Sequence, residues 1–187
     1  MRVIAGSARG RILHPPVGIR VRPTADRVKE AVFSSLSSRL CSLEGLKVLD
    51  LFAGSGSLGI EALSRGAAAA VFVDSHADSI NLTRKNLQLT GFDKAATLIL
   101  KDAVTAVRNL SKKGVTFDII LVDPPYADKE LTERVLELLA DSGLTATHGI
   151  LVFETDNRCE LHSPESFRLF NRKVYGDSAI WMFELTD

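Results

Sequence analysis

The sequence predicts an α/β protein: a mostly parallel sheet covered by helices, an antiparallel pair at its C-terminal end, and a small basic N-terminal extension. Three observations predict it. Five short apolar runs between residues 47 and 155 are separated by four helix-like segments. The runs are nearly continuous in apolar character, as expected of strands buried on both faces. Two further strand-like runs beyond them, FRLFNRKVYG and SAIWMFEL, are joined by Gly-Asp, a hairpin signal.

Taken in order, the N-terminal segment holds two short strand candidates, Arg2–Ala5 and Arg11–His14. A helix follows from about Thr24, with Val28, Val32 and Leu36 on one stripe. KVLDLF is the first buried strand, and SLGIEALSRG the first crossover helix, with Ser57 as its expected N-cap and Gly66 closing it. AAAVFVD is the second strand. ADSINLTRKNLQLTG is a helix whose apolar residues include Ile80, Leu82, Leu87 and Leu89. ATLILKD, AVTAVRNLSKKG, FDIILVD, the strongly amphipathic DKELTERVLELLADSG and HGILVFET complete the alternation.

The 187 residues suit one domain, with residues 1–40 as a basic arm and helix and residues 41–187 as the α/β core. No apolar run approaches the roughly 20 residues of a membrane helix, and the N-terminus lacks a signal-peptide core. The expected location is the cytoplasm. Cys41 and Cys159 match no metal spacing, and the four histidines are scattered, so no metal site is expected. The zero net charge hides an asymmetry. Residues 1–40 carry eight basic and two acidic side chains, leaving 15 basic and 21 acidic for the rest. A basic end on a mildly acidic body suggests a polyanion contact; the alternative is a solvated face paired with the body.

LDLFAGSGSLGIEAL joins the first strand to its helix, and Gly54, Gly56 and Gly59 satisfy G-x-G-x-x-G. Residues without Cβ let a ligand lie against the main chain at a helix N-terminus. The pattern suits a dinucleotide and equally S-adenosylmethionine. Asp74 ends the second strand, where an acid reaches ribose hydroxyls, and Asp102 ends the third, beside Ala103. For both, a helix N-cap is the competing reading. Asp50, Asp74, Asp102 and Asp123 all fall at strand C-terminal ends, on the rim where open α/β sheets bind ligands. Four N-caps would explain each singly, but not their sharing one rim with the glycine loop.

The fourth strand stops on Asp123-Pro124-Pro125-Tyr126. Two prolines remove N–H donors while their carbonyls still accept. Asp123 is a second acceptor and Tyr126 offers a flat face. Together they suit a planar ring bearing an NH₂ group, with one proton donated to Asp123 and the other to a proline carbonyl. Acceptors placed out of the ring plane favour a pyramidal nitrogen with a usable lone pair. Methyl transfer to that nitrogen then needs positioning and electrostatics, and no metal. Tyr126 would stack on a flipped-out or unpaired base.

LDLFAGSG with DPPY resembles the S-adenosylmethionine-dependent amino-methyltransferases. IAGSARGR, RPTADRVKEAVFSSL, GSLGIEALSRGA and VYGDSAIW extend the likeness over nearly the whole chain, which resembles the RsmD-type 16S ribosomal RNA guanine-N2 methyltransferases. RPTADRVKEAVF is the most specific stretch, because D-P-P-Y also occurs in DNA adenine and protein glutamine methylases. The resemblance implies the Rossmann-like seven-stranded methyltransferase fold and methylation of a guanine exocyclic amine in small-subunit rRNA. It implies a target-base pocket of Asp123, Pro124, Pro125 and Tyr126. Gly54, Ser55, Gly56, Asp74, Asp102 and Ala103 would hold S-adenosylmethionine, with Asp50 near its methionine end and S-adenosylhomocysteine as product. Arg9, Arg11, Arg20, Arg22 and Arg27 are the candidate RNA contacts, and Arg20, Arg22 and Arg27 alternatively cover the cofactor. The expected partner is 16S rRNA, within a partly or fully assembled 30S subunit, and the expected state is a monomer.

Three other readings compete. A nicotinamide-dependent oxidoreductase accounts for the glycines and Asp74 but leaves D-P-P-Y unexplained. A non-catalytic RNA-binding module uses only the basic end. The third keeps the chemistry and changes the substrate to DNA adenine or protein glutamine.

Overall fold

The computed structural model describes residues 1–16, 23–125 and 128–186. Helix α1 (Pro23–Leu40) is followed by β1 (Lys47–Asp50), α2 (Ser57–Ser64), β2 (Ala69–Asp74), α3 (Ala77–Thr90) and β3 (Ala96–Leu100). Then come α4 (Ala103–Ser111), β4 (Phe117–Val122), α5 (Lys129–Asp141), β5 (Thr145–Asp156), β6 (Phe167–Tyr175) and β7 (Ser178–Leu185). The strands form one seven-stranded sheet in the order β3-β2-β1-β4-β5-β7-β6. The pairs from β3 to β5 are parallel, and β7 runs antiparallel to both β5 and β6. The strand order reverses between β1 and β4, which sets the ligand crevice at their C-terminal ends. This is the Rossmann-like seven-stranded fold, with the C-terminal hairpin turning through Gly176 at φ 62.

Side-chain alternation along the strands sorts the core into two layers. Val48, Phe72, Ile119, Leu121, Val152, Ile180 and Met182 face one way. Leu49, Val73, Ile120, Val122, Phe153, Trp181 and Phe183 face the other, where α4 and α5 supply Val104, Val107, Val135, Leu136 and Leu139. The first layer also buries Val3 and Leu13 of the N-terminal arm and Val28, Val32, Phe33 and Leu36 of α1. The basic end therefore shares the core of the sheet through its apolar residues.

The arm is held by charge as well as by packing. The two expected strands reduce to one antiparallel bridge, Arg2↔Ile12, in a short hairpin. Glu61 of α2 is fully buried and accepts from Ile4 N–H at 2.7 Å, Ala5 N–H at 3.0 Å and Arg65 Nε at 2.7 Å. Lys29, also buried, donates to Arg2 O at 2.6 Å and Ser57 Oγ at 3.0 Å, and stands 3.8 Å from Glu61. Burial lowers the Lys29 pKa, and the nearby Glu61 charge opposes that.

One local expectation changes, and one of two competing readings is realised. Ser57 does not cap α2: Gly56 occupies the N-cap in the left-handed region with no side-chain bond, and Ser57 instead receives Lys29. Asp102 is the N-cap of α4, accepting from Thr105 N–H at 2.8 Å. Among the described residues, no helix is long and apolar enough to cross a membrane. Cys41 and Cys159 are free thiols.

Candidate active site

The loop between β1 and α2 takes two left-handed turns, Gly54 at φ 55 and Gly56 at φ 77. The three motif glycines serve different purposes. A Cβ on Gly54 would meet nothing within 4 Å, so the chain is open to a ligand there. A Cβ on Gly59 would stand 2.2 Å from Phe72 Cε1, so that glycine lets α2 close on the sheet. The loop is gripped from α3: Thr83 Oγ1 donates to Gly54 O at 3.1 Å, and Asn86 Nδ2 donates to Ser55 O at 2.8 Å. Asn86 also exchanges two hydrogen bonds with the backbone of His14, tying the arm to the same loop.

Four carboxylates surround this loop. Asp50 is 1% exposed; one oxygen accepts from Gly59 N–H at 3.0 Å, and Oδ1 is buried with no hydrogen-bond partner. Burial pushes its pKa up to about 7; the Gly59 bond opposes that shift and Asp74 adds to it. Asp74 accepts from Gly54 N–H at 2.9 Å and from His76 N–H at 2.8 Å. Asp123 follows directly on β4, and burial, then Glu154, then Asp50 hold its carboxyl well above the usual range. Glu154 is level with Asp123, because Val122 pairs with Phe153. Each of the four lies two residues beyond a strand residue of the arm-bearing layer: Val48, Phe72, Leu121 and Val152. Strand periodicity thus puts all four on one face of one rim.

Beyond Asp123, Pro124 is buried and Pro125 exposed. Pro125 O accepts from Asp128 N–H at 3.0 Å, and Asp128 caps α5 by accepting from Leu131 N–H at 2.9 Å. That turn engages the second proline's carbonyl. Tyr126 lies outside the described residues. Asp102 is on the same rim, one strand further out, and its Thr105 hydrogen bonds hold its pKa below the usual range. Ala103 beside it is buried. Among the described residues, no group of three or more His, Cys, Asp or Glu is placed to hold a metal ion.

Three of the candidate arginines fall among the described residues. Arg20 and Arg22 lie outside the described residues. Arg9 and Arg11 are exposed on the arm hairpin, whose tip packs on Ser64 through Ser7 and Ala8. Ser64 ends α2, so this tip sits at the end of the helix away from the glycine loop. Arg27 is exposed in the first turns of α1.

A family model described as conserved hypothetical protein 95 matches residues 1–184. The chain belongs to this family. The conserved hypothetical protein 95 relatives include ribosomal RNA small subunit methyltransferase D of Escherichia coli (strain K12), 34% identical over 98% of this chain and 89% of the relative. Among solved structures, "Putative methyltransferase yhhF from Escherichia coli" superposes with a TM-score of 0.85 at 34% identity, covering 99% of this chain and 97% of that one. The structure of SMU.776 complexed with SAH gives a TM-score of 0.68 at 15% identity, over 88% of this chain and 50% of that one, a likeness of fold. The resemblance seen in RPTADRVKEAVF and D-P-P-Y thus holds for the family.

In this family member, three site residues escape motif reading. Glu154 lies in the C-terminal part of β5, level with Asp123, in the run VFETD. Thr83 and Asn86 are both fully buried, although they interrupt the apolar pattern of α3. Their polarity hid them: a helix face reaching toward a bare loop backbone needs donors as well as apolar groups.

Proposed function

We propose that this protein transfers a methyl group from S-adenosylmethionine to the exocyclic N2 amine of a guanine in 16S rRNA. The observation that carries the reading is the open glycine loop beside the rim that carries Asp50, Asp74, Asp123 and Glu154, with one buried Asp50 oxygen lacking a partner. A diphosphate cofactor would meet repulsion from these carboxylates. A cationic cofactor would relieve their mutual repulsion and offer a donor to Asp50 Oδ1. That asymmetry favours S-adenosylmethionine over a nicotinamide dinucleotide.

When bound, S-adenosylmethionine supplies an electrophilic methyl group on sulfur and departs as S-adenosylhomocysteine. Gly54, Ser55 and Gly56 give the backbone approach. Asp74 keeps lone pairs for ribose hydroxyls beyond its two N–H bonds. Asp102 has its second oxygen for the adenine amine, and Ala103 its backbone amide for the adenine ring. Asp123 and Pro124 O accept the two protons of the target amine, turning its lone pair toward the methyl. Tyr126 stacks on the guanine. As the new C–N bond forms, the charge developing on nitrogen is stabilised by Asp123, which then lies beside the proton to be lost. The rRNA substrate rests on the full-length likeness to a protein named ribosomal RNA small subunit methyltransferase D. The arm arginines would contact RNA phosphates, which add affinity and salt dependence without sequence choice. The whole chain works as one unit, a cytoplasmic monomer acting on 16S rRNA in a partly or fully assembled 30S subunit.

Two measurements test the chemistry. Calorimetric titration should give binding of S-adenosylhomocysteine and none of NAD. Asp123→Ala should leave that binding within about twofold and cut methyl transfer by roughly a hundredfold or more. Equal loss of binding and transfer would remove Asp123 from its role on the amine.

A further inference from the structure

A groove of about 460 Å³ runs between α1 and the edge strand β6. It lies on the same face of the sheet as the four carboxylates, because an adjoining pocket that shares its Ala31, Ser35, Asn171, Lys173 and Tyr175 walls is floored by Ile180 and Met182 of the arm-bearing layer. Tyr175 marks one end. Tyr175 pairs with Ser178, and Ser178 pairs with Asp156 of β5, two residues past Glu154. The groove therefore opens on the catalytic rim, three strand spacings (about 14 Å) from the strand that carries Asp123.

Its walls offer donors and cations. Ser34, Ser35 and Ser38 line it from α1, and Arg39, Asn171 and Lys173 add charge and an amide. Among the described residues, no carboxylate lines it. Glu184, which Arg39 reaches, is shared by two guanidiniums: Arg39 at 2.5 Å and Arg168 at 2.7 Å. Two arginines on one carboxylate leave a net positive charge and unused N–H donors, and the two side chains are 44% and 63% exposed. Phe170, under the Arg39 guanidinium at 5.9 Å, and Tyr175 present ring faces beside these donors. Hydroxyls, an amide, cations and aromatic faces without an acid form the set that binds a single-stranded sugar–phosphate backbone.

We propose that the α1–β6 groove holds a single-stranded stretch of the substrate RNA flanking the target guanine, guiding it into the Asp123–Pro124 pocket. This rests on the RNA-methylating reading above, and adds a binding surface on the opposite flank from the Arg9–Arg11 hairpin. Lys173 and the exposed serines are its positioning contacts, and they touch neither cofactor nor reacting atoms.

The test uses full-length Lys173→Glu, Ser38→Glu and the double variant, with Lys113→Glu on the β3 side of the sheet as the control. Methylation of free 16S rRNA and of 30S subunits, and binding of free 16S rRNA, are followed against salt. Each groove variant should raise the RNA KM roughly tenfold and lower the salt slope by about one, with the S-adenosylmethionine KM unchanged. Lys113→Glu should match wild type. Wild-type RNA KM and salt slope in the double variant, with methylation intact, would overturn the proposal. So would a defect on assembled 30S particles with none on free rRNA, which would assign the groove to a protein surface. Wild-type enzyme that methylates no rRNA in either form would remove the RNA reading and the groove proposal together.

Discussion

Asp50→Asn tests the buried carboxyl beside the glycine loop. Asp50 is buried, its pKa stands at about 7, and one oxygen has no partner. A carboxyl whose folded value is raised contributes full stability below its unfolded value near 4, and loses it as pH rises through 7. A shift of about three units corresponds to a ceiling of about 4 kcal/mol. Between pH 5 and pH 8 the wild type should lose about 2–3 kcal/mol from this group alone. Asparagine keeps an oxygen for Gly59 N–H and cannot ionise. Its NH₂ is buried, at a cost of about 1–3 kcal/mol where it finds no acceptor. Urea denaturation of both proteins at the two pH values separates these effects, because the amide cost is independent of pH and cancels in the difference. The stability of Asp50→Asn relative to wild type should rise by about 2–3 kcal/mol from pH 5 to pH 8. Saturating S-adenosylhomocysteine should shrink that difference, since the cofactor's ammonium favours ionised Asp50. A relative stability that stays flat across this range would refute the buried, high-pKa carboxyl and with it the charge argument for the cofactor.

Glu154→Gln removes a charge that raises the Asp123 pKa, so the acidic limb of the kcat/KM profile should move to lower pH; an unmoved limb would separate the two residues. Glu61→Ala strands Lys29, Arg65 and the Ile4 and Ala5 amides, and should cost about 3–5 kcal/mol in urea denaturation. A loss below about 1 kcal/mol would show that the arm is held by packing alone. Asn86→Ala frees Ser55 O and the His14 backbone together, and should raise the S-adenosylmethionine KM severalfold with kcat little changed. A fall in kcat with KM constant would place its effect on the chemistry instead.

The elements most legible in the sequence were those governed by short-range rules. Continuous apolar runs marked the five parallel strands, and Gly-Asp marked the hairpin, because period and turn chemistry are local properties. The rim was legible for the same reason: Asp50, Asp74 and Asp123 each stand at or just past a strand end. What long-range contacts decide was less visible. Ser57 lost its expected cap to Gly56 because a lysine 28 residues earlier claims its hydroxyl. The buried Lys29–Glu61 pair and the Thr83–Asn86 grip on the glycine loop join segments 27 to 72 residues apart in sequence, and no local pattern signals them.

The central claim is tested most directly by the chemical identity of the product. Labelled S-adenosylmethionine would be supplied with 30S subunits and with free 16S rRNA from cells lacking this protein, and the labelled nucleoside identified. The account predicts N2-methylguanosine in 16S rRNA, abolished by Asp123→Ala. Label on adenine, on DNA or on protein glutamine would contradict the substrate, and absence of transfer together with absence of S-adenosylhomocysteine binding would contradict the site itself.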